Sequence, residues 1–263
     1  MARLLVIAAH PDAESAGAAS LLTTLPDCAV LHLSDGVPRD RALWASGAAA
    51  TADGYSSQRR GEVLRAMEIA GLLPSDVHCL GLVDQELVLH LADLSRELVR
   101  WMIALGPELV ITHAYEGGHP DNDAAAFATS AARDMLLRSG QRAPMLLEMA
   151  LYHGAGGELT IGDFVASDDI GPPQIQCAFR GAALERKHEM LRCFESQEDA
   201  LAPFFAVSYE RFRPAPRYDF AAPPHFGPLL YEQRGMPMEG DTWRALATRA
   251  RGELSLGARV AAA

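Results

Sequence analysis

An apolar run, Arg3-Leu4-Leu5-Val6-Ile7-Ala8-Ala9, ends abruptly in His10-Pro11-Asp12-Ala13-Glu14-Ser15. A run this short and this uniformly apolar suits a strand buried on both faces of a parallel sheet. In open α/β folds ligands bind beyond the carboxyl ends of such strands, so the polar residues at 10–15 fall where a ligand site belongs. Comparable apolar runs predict further strands over Cys28–Ser34, Val77–Leu80, Leu109–His113 and Leu146–Tyr152. Helical patterns lie between them, over Ser15–Leu25, Gln58–Ala70, Leu91–Leu105 and Asp121–Ser139. Strands alternating with helices mean crossover connections, hence an α/β fold with a mostly parallel sheet and helices on both faces.

The stretch Asp35–Ser56 breaks that rhythm and reads as a long loop over the carboxyl edge of the sheet, with Trp44 and Tyr55 placed to line a lid. Beyond Tyr152 the pattern changes to a β-like passage over Thr160–Ile175, a helix over Ala182–Phe194 and a Pro- and aromatic-rich tail over Phe212–Tyr231. With no internal repeat and no linker-like segment, the expectation is a single domain over 1–263. Its core would span 1–152, with a C-terminal β/loop elaboration over 153–263. The Ala-rich residues after Leu256 read as a frayed end.

Lys and Arg total 23 against 34 Asp and Glu, a formal net charge of -11. A surface of that sign repels nucleic acid and anionic membrane. Nothing approaches a membrane span or a signal peptide, so a cytoplasmic protein is expected. Cys28 and Cys79 lie in apolar runs and read as core residues, and no cysteine pair has metal-ligand spacing. No glycine-rich phosphate cradle follows the first strand, which argues against a nucleotide-binding protein. Phe204-Phe205 and the Pro-rich tail offer a surface for a second copy of the chain, a homo-oligomer.

Two polar clusters carry the chemistry. His10-Pro11-Asp12-Ala13-Glu14 follows the first strand, and His113-Ala114-Tyr115-Glu116-Gly117-Gly118-His119-Pro120-Asp121-Asn122-Asp123 follows the strand ending at His113. Both should face the same sheet edge and converge on one small molecule. Imidazole and carboxylate serve as zinc ligands and as general acids and bases. Each His-Pro-Asp also has a plain structural reading as a helix start, with Pro in the first turn and Asp capping free N–H groups.

The two motifs resemble those of the LmbE/PIG-L family of metal-dependent N-acetylglucosaminyl deacetylases, which carry His-Pro-Asp-Asp-Glu after the first strand and His-Pro-Asp-His after a later one. The likeness continues at Arg59–Glu62 ahead of a helix, at Gly81-Leu82-Val83-Asp84 and at Lys187–Gln197 with its terminal Ser196-Gln197. One branch of the family also matches Glu210–Arg213, Tyr218–Phe220 and Leu230–Glu232. The resemblance implies a Rossmann-like fold, a Zn2+ cofactor and amide hydrolysis of an N-acylated, sugar-like small molecule. It implies His10 as a metal ligand, Asp12 as general base and His119 as acid or oxyanion donor.

The other ligand positions of the family fall on Ala13 and Asn122. A methyl group cannot coordinate, and a neutral amide is a poor zinc ligand, so zinc should be weakly held or absent. Glu14 on one side and Asp123 or Asp121 on the other are the oxygen donors close enough in sequence to substitute. The alternative is a metal-free relative that binds a sugar-like ligand, or runs changed acid–base chemistry on it. Arg59, Asp84 and His113 are expected to contact the substrate, with Lys187 and Gln197 bracing the edge. His32, His78, His90, His153, His188 and His225 are assigned structural places.

Overall fold

Strand β1 (Leu4–Ala8) is wholly buried. It lies parallel between β2 (Cys28–Pro38) and β4 (Leu109–His113). The computed structural model describes residues 3–166 and 173–256. Within them, β3 (Val77–Asp84) extends the sheet beyond β2 and β5 (Met145–Met149) extends it beyond β4, all in parallel. A short hairpin of β6 (Tyr152–His153) and β7 (Thr160–Ile161) stands apart. Antiparallel strands β8 (Ile175–Ala178) and β9 (Tyr209–Pro214) complete the main sheet, whose order is β3-β2-β1-β4-β5-β9-β8. The parallel part has the 3-2-1-4-5 order of a doubly wound sheet, with β1 and β4 flanking its switch point.

The chain alternates faces as a pleated strand must. Leu5 and Ile7 pack with Leu31, Leu98, Phe127 and Trp243 on one side, while Leu4 and Val6 pack with Val30, Met67, Met190 and Phe194 on the other. The helices supplying these residues are α1 (Ala13–Gly17), α2 (Ala19–Leu22), α3 (Ala52–Ala70), α4 (Leu91–Leu105), α5 (Pro120–Arg138), α6 (Ala182–Arg192), α7 (Glu198–Leu201), α8 (Leu230–Gln233) and α9 (Gly240–Glu253). No described helix is long and apolar enough to cross a membrane.

Several sequence expectations need correction. The first helix is broken at Ala18 into α1 and α2. The stretch 35–56 is only partly a loop. β2 runs on to Pro38, and α3 starts at Ala52 because the Thr51 hydroxyl accepts the Gly54 N–H at 3.1 Å, a helix N-cap. Arg59, within the helix expected over Gln58–Ala70, therefore lies in the middle of α3 rather than at its start. Cys79 is exposed, and only Cys28 is buried. Helix α9 was not anticipated in the tail. It brings Trp243 into the core, where the indole donates to the Pro120 carbonyl at 3.0 Å. Part of the predicted β passage, 167–172, and the Ala-rich end, 257–263, lie outside the described residues.

Two buried charge clusters fasten the second half of the chain to the first. Lys187 and Glu210 pair at 2.9 Å, each 1% exposed. The ammonium also donates to the Ala16 carbonyl, and the Glu210 carboxylate takes the Ala19 and Ser20 N–H groups at the start of α2. On β9, Arg213 sits directly opposite Glu148 of β5 and donates to it at 3.0 Å, with Glu116 and Tyr218 joining the group. Burial, against the pull of Arg213, raises Glu148 to about 8 and Glu116 to about 7.

Removing one partner of a buried pair strands the other charge. Lys187→Met should therefore lower unfolding stability by about 3 kcal/mol, and adding Glu210→Gln should recover part of the loss, as urea unfolding would show. The second cluster predicts a pH dependence. Glu116 and Glu148 keep their protons in the folded chain above the usual 4.5. From that value to about 8 the unfolded chain binds fewer protons than the folded one, so stability should fall as pH rises through that window. Glu148→Gln should flatten the slope, measured by urea unfolding at several pH values.

Candidate active site

The first His-Pro-Asp does not serve as an ordinary helix start. Asp12 occupies the N-cap of α1, yet its side chain caps nothing. Its backbone is at φ 138°, a region L-residues rarely adopt. The conformation is held from two directions. Glu14 accepts the Asp12 N–H at 3.0 Å, and the buried Arg59 guanidinium donates to both the Pro11 carbonyl and the Asp12 carboxylate, the latter at 2.9 Å. Arg59 reaches this place because residue 36 is glycine. A Cβ there would stand 2.9 Å from Arg59 Nε and 3.0 Å from Pro11, on a backbone already at φ +72°. Burial raises the Asp12 pKa, although Arg59 and His10 oppose the rise.

Glu14 is not a substitute metal ligand. Its carboxylate is buried against His32 at 2.8 Å and accepts the Ser15 hydroxyl, so His32 has a partner that the sequence did not suggest. Burial would raise its pKa, but His32 and these hydrogen bonds hold it low. Asp123 is not a substitute either. It turns back to accept the Glu116 and Gly117 N–H groups, each at 3.1 Å, and burial holds its pKa well above the usual range.

The oxygen donor beside His10 is Asp121. The His10 Nε2 lies 3.2 Å from Asp121 Oδ2 and 2.8 Å from Asp84 Oδ1. Burial works against a charged imidazole, but the two carboxylates outweigh it and lift His10 to about 10. Asp84 is correspondingly held down to about 2: burial pushes it up, and His10 pulls it further down. Asp121 is buried and also takes the Gln85 N–H at 2.6 Å and the Leu87 N–H at 3.1 Å. It thereby fixes the turn after β3 that presents Asp84.

The second motif is a helix start in which the histidine caps. His119 Nδ1 accepts the Asp121 N–H at 3.2 Å, so in the neutral ring Nε2 carries the proton. Burial and the charge on His10 lower its pKa to about 4. The rings of His10 and His119 meet edge to face at 4.7 Å. Gly118 permits the turn, since a Cβ there would lie 2.2 Å from the Tyr152 carbonyl oxygen.

His10, Asp12, Arg59, Asp84, His119 and Asn122 share one cavity of about 240 Å³. Leu151, Leu201 and Phe204 supply apolar wall, and Gln197, Arg234 and Met236 also line it. Gln197 is placed by its neighbour: Ser196 donates through N and Oγ to Glu62, at 2.9 and 2.7 Å. His113, expected to touch substrate, is instead tied to β1, accepting the Ala9 N–H at 2.9 Å. Trp44 and Tyr55 meet in a tilted pair, 5.3 Å between ring centres, without lining the cavity. Sequence reasoning missed Tyr152, Arg234 and Met236 as cavity residues, because hairpin and tail positions far along the chain carry no motif.

The family model for PIG-L, described as GlcNAc-PI de-N-acetylase, matches residues 5–133. Over these residues, just under half of the chain, the sequence is similar to a PIG-L domain. Among solved structures, the zinc-inhibited form of teicoplanin deacetylase Orf2 aligns with a TM-score of 0.58 at 14% identity, covering 82% of this chain and 99% of that one. The N,N'-diacetylchitobiose deacetylase from Pyrococcus horikoshii aligns with 0.56 at 15% identity, covering 80% and 82%. The 4-carboxy-2-hydroxymuconate hydratase of Pseudomonas putida aligns with 0.54 at 17% identity, covering 83% and 98%. At these identities the likeness is one of fold. No curated protein matches the sequence.

Among the described residues, His10, His119 and Asp121 form a three-residue group whose donor atoms lie within 4.8 Å of one another. The donor set does not suit a zinc ion, which needs a free lone pair from each ligand. His119 already spends its free nitrogen lone pair on a backbone N–H, Asp121 accepts N–H groups through both oxygens, and His10 faces two carboxylates. At the PIG-L ligand positions, Ala13 presents a methyl group and Asn122 a buried amide oxygen with no partner. Ala13→Asp combined with Asn122→His should raise zinc affinity by orders of magnitude over the parent chain, read by elemental analysis and competitive chelation.

Proposed function

We propose that this PIG-L-like protein is a deacetylase-like hydrolase of the amide bond in a small N-acylated, sugar-like compound, with Asp12 as general base and acid and His119 as hydrogen-bond donor to the oxyanion. The observation that carries this reading is Asp12 itself. A carboxylate withheld from helix capping, kept in a costly backbone conformation and aimed into a cavity shared with His119 is placed for chemistry rather than for folding. The family description and the deacetylases among the structural neighbours support the amide as the bond attacked.

In this scheme Asp12 takes a proton from water as the water oxygen attacks the amide carbonyl carbon. The carbonyl oxygen, gaining charge, receives a hydrogen bond from the Nε2–H of His119. When the tetrahedral intermediate collapses, the C–N bond breaks and Asp12 returns its proton to the leaving amine, giving a free acid and an amine. Arg59 keeps the Asp12 carboxylate at its post, and Leu151, Leu201 and Phe204 keep the cavity wall apolar. No step passes through a metal, in keeping with the donor set.

A second reading, a sugar-like ligand bound without turnover, is favoured by Ala13 and Asn122 at the family's ligand positions. One variant separates the two. Asp12→Asn should cut kcat for amine release from N-acetylated amino sugars by roughly 10²- to 10⁴-fold while substrate still binds. Binding by the parent chain with no amine released would establish the second reading.

A further inference from the structure

We infer that the substrate is anionic, and that Arg234 is the residue that selects it, by meeting a carboxylate or phosphate at the mouth of the cavity. The inference rests on the reading above that this cavity receives the substrate. The charged side chains at the inner end all have partners: Asp12 meets Arg59, and Asp84 and Asp121 both meet His10. Arg234 is the cavity-lining charge left over, with no carboxylate partner among the described residues. In a chain with an excess of 11 negative charges, a lone cation turned toward a cavity is not simply surface charge.

Arg234 is also built into place. Its backbone N–H donates to the Leu230 carbonyl at 3.0 Å, closing α8, and the Leu230 N–H donates to the Gly117 carbonyl at 2.9 Å. The loop that carries His119 therefore also anchors the helix that carries Arg234. Glu232 pins the same turn by accepting the Leu229 and Gly240 N–H groups at 2.8 and 2.7 Å. The guanidinium stands 5.9 Å from the centre of the Tyr152 ring, over another lining residue. Arg234 itself is exposed, as is Ala200 across the opening, whereas His119 is only 7% exposed. The arrangement puts a fork of N–H donors at the rim and the reacting groups behind it, so the anionic group would lie away from the scissile amide.

The test compares binding of three sugars, by calorimetry at low and at moderate ionic strength. The probes are N-acetylglucosamine, which is neutral, N-acetylmuramic acid, which bears a carboxylate, and N-acetylglucosamine 6-phosphate. The full chain should prefer one or both anions by roughly tenfold or more, the scale of a charge-assisted hydrogen bond. The preference should weaken as salt rises. Arg234→Gln should bring the ratio of anion to neutral affinity close to one, and Arg234→Lys should restore part of it. The stronger of the two anions tells carboxylate from phosphate. Equal binding of all three sugars, no binding of any, or a preference that survives Arg234→Gln would overturn the inference. Amine release is followed on the same samples. Anion-selective binding without release would uphold Arg234 and end the hydrolytic reading, whereas release without anion selectivity would do the reverse.

Discussion

One guanidinium, that of Arg59, holds the candidate site in its working shape. It is 1% exposed and grips the Pro11 carbonyl and the Asp12 carboxylate together. That double grip is what keeps Asp12 at φ 138°, a conformation of the kind that costs about 1–3 kcal/mol and persists only when its surroundings impose it. The requirement spreads outward. Gly36 must lack a side chain to let the guanidinium pass. Glu62, one turn along the same helix, comes within 3.6 Å of Arg59 and spends its oxygens on Ser196, which sets Gln197 at the cavity wall. A motif residue, a glycine turn and a segment far along the chain thus answer to one buried cation.

The two His-Pro-Asp segments use the same residues for opposite purposes. In the first, the aspartate is freed for the cavity and the histidine is bound between carboxylates. In the second, the histidine caps the helix through one nitrogen and keeps a proton on the other, while the aspartate is consumed as a clamp on the β3 turn. Local geometry accounts for the difference. The first segment opens a five-residue helix, α1, whose start is supplied by Glu14, and the second opens the long α5, with Pro120 in its first turn.

Much of this was legible from sequence because apolar period and strand-end position are local signals. β1 and β4 were visible as short apolar runs, and the convergence of His10, Asp12 and His119 follows from two strands adjacent in a parallel sheet. What was not legible depends on side-chain direction and on distant pairings. Glu14, one residue from a family ligand position, points away to His32, because neighbouring positions at a helix start project differently. Asp121 looked exchangeable with Asp123, and its role depends on backbone N–H groups of a turn after another strand. The start of α3 is set by a single Thr51 cap, within a stretch whose lack of clean periodicity suggested a loop. Arg234 belongs to a tail with no periodic signal, and only the bond from Leu230 to Gly117 brings it to the cavity.

The substitutions at 13 and 122 make physical sense together. Where the family pattern has a carboxylate, this chain has a methyl group, and where it has an imidazole, a neutral amide. Those two exchanges remove one negative charge and two good donors from the place a dication would occupy. What remains is already paired, because His10 is met by Asp84 and Asp121, and Asp12 by Arg59. A dication held there would compete with the contacts of His10 to two carboxylates and with the backbone hydrogen bonds of Asp121, each costly to give up inside a buried cluster. In the reaction proposed above, water activation therefore falls to Asp12. A carboxylate whose basicity is raised by burial, yet whose position is fixed by Arg59, is the form of base such an arrangement requires.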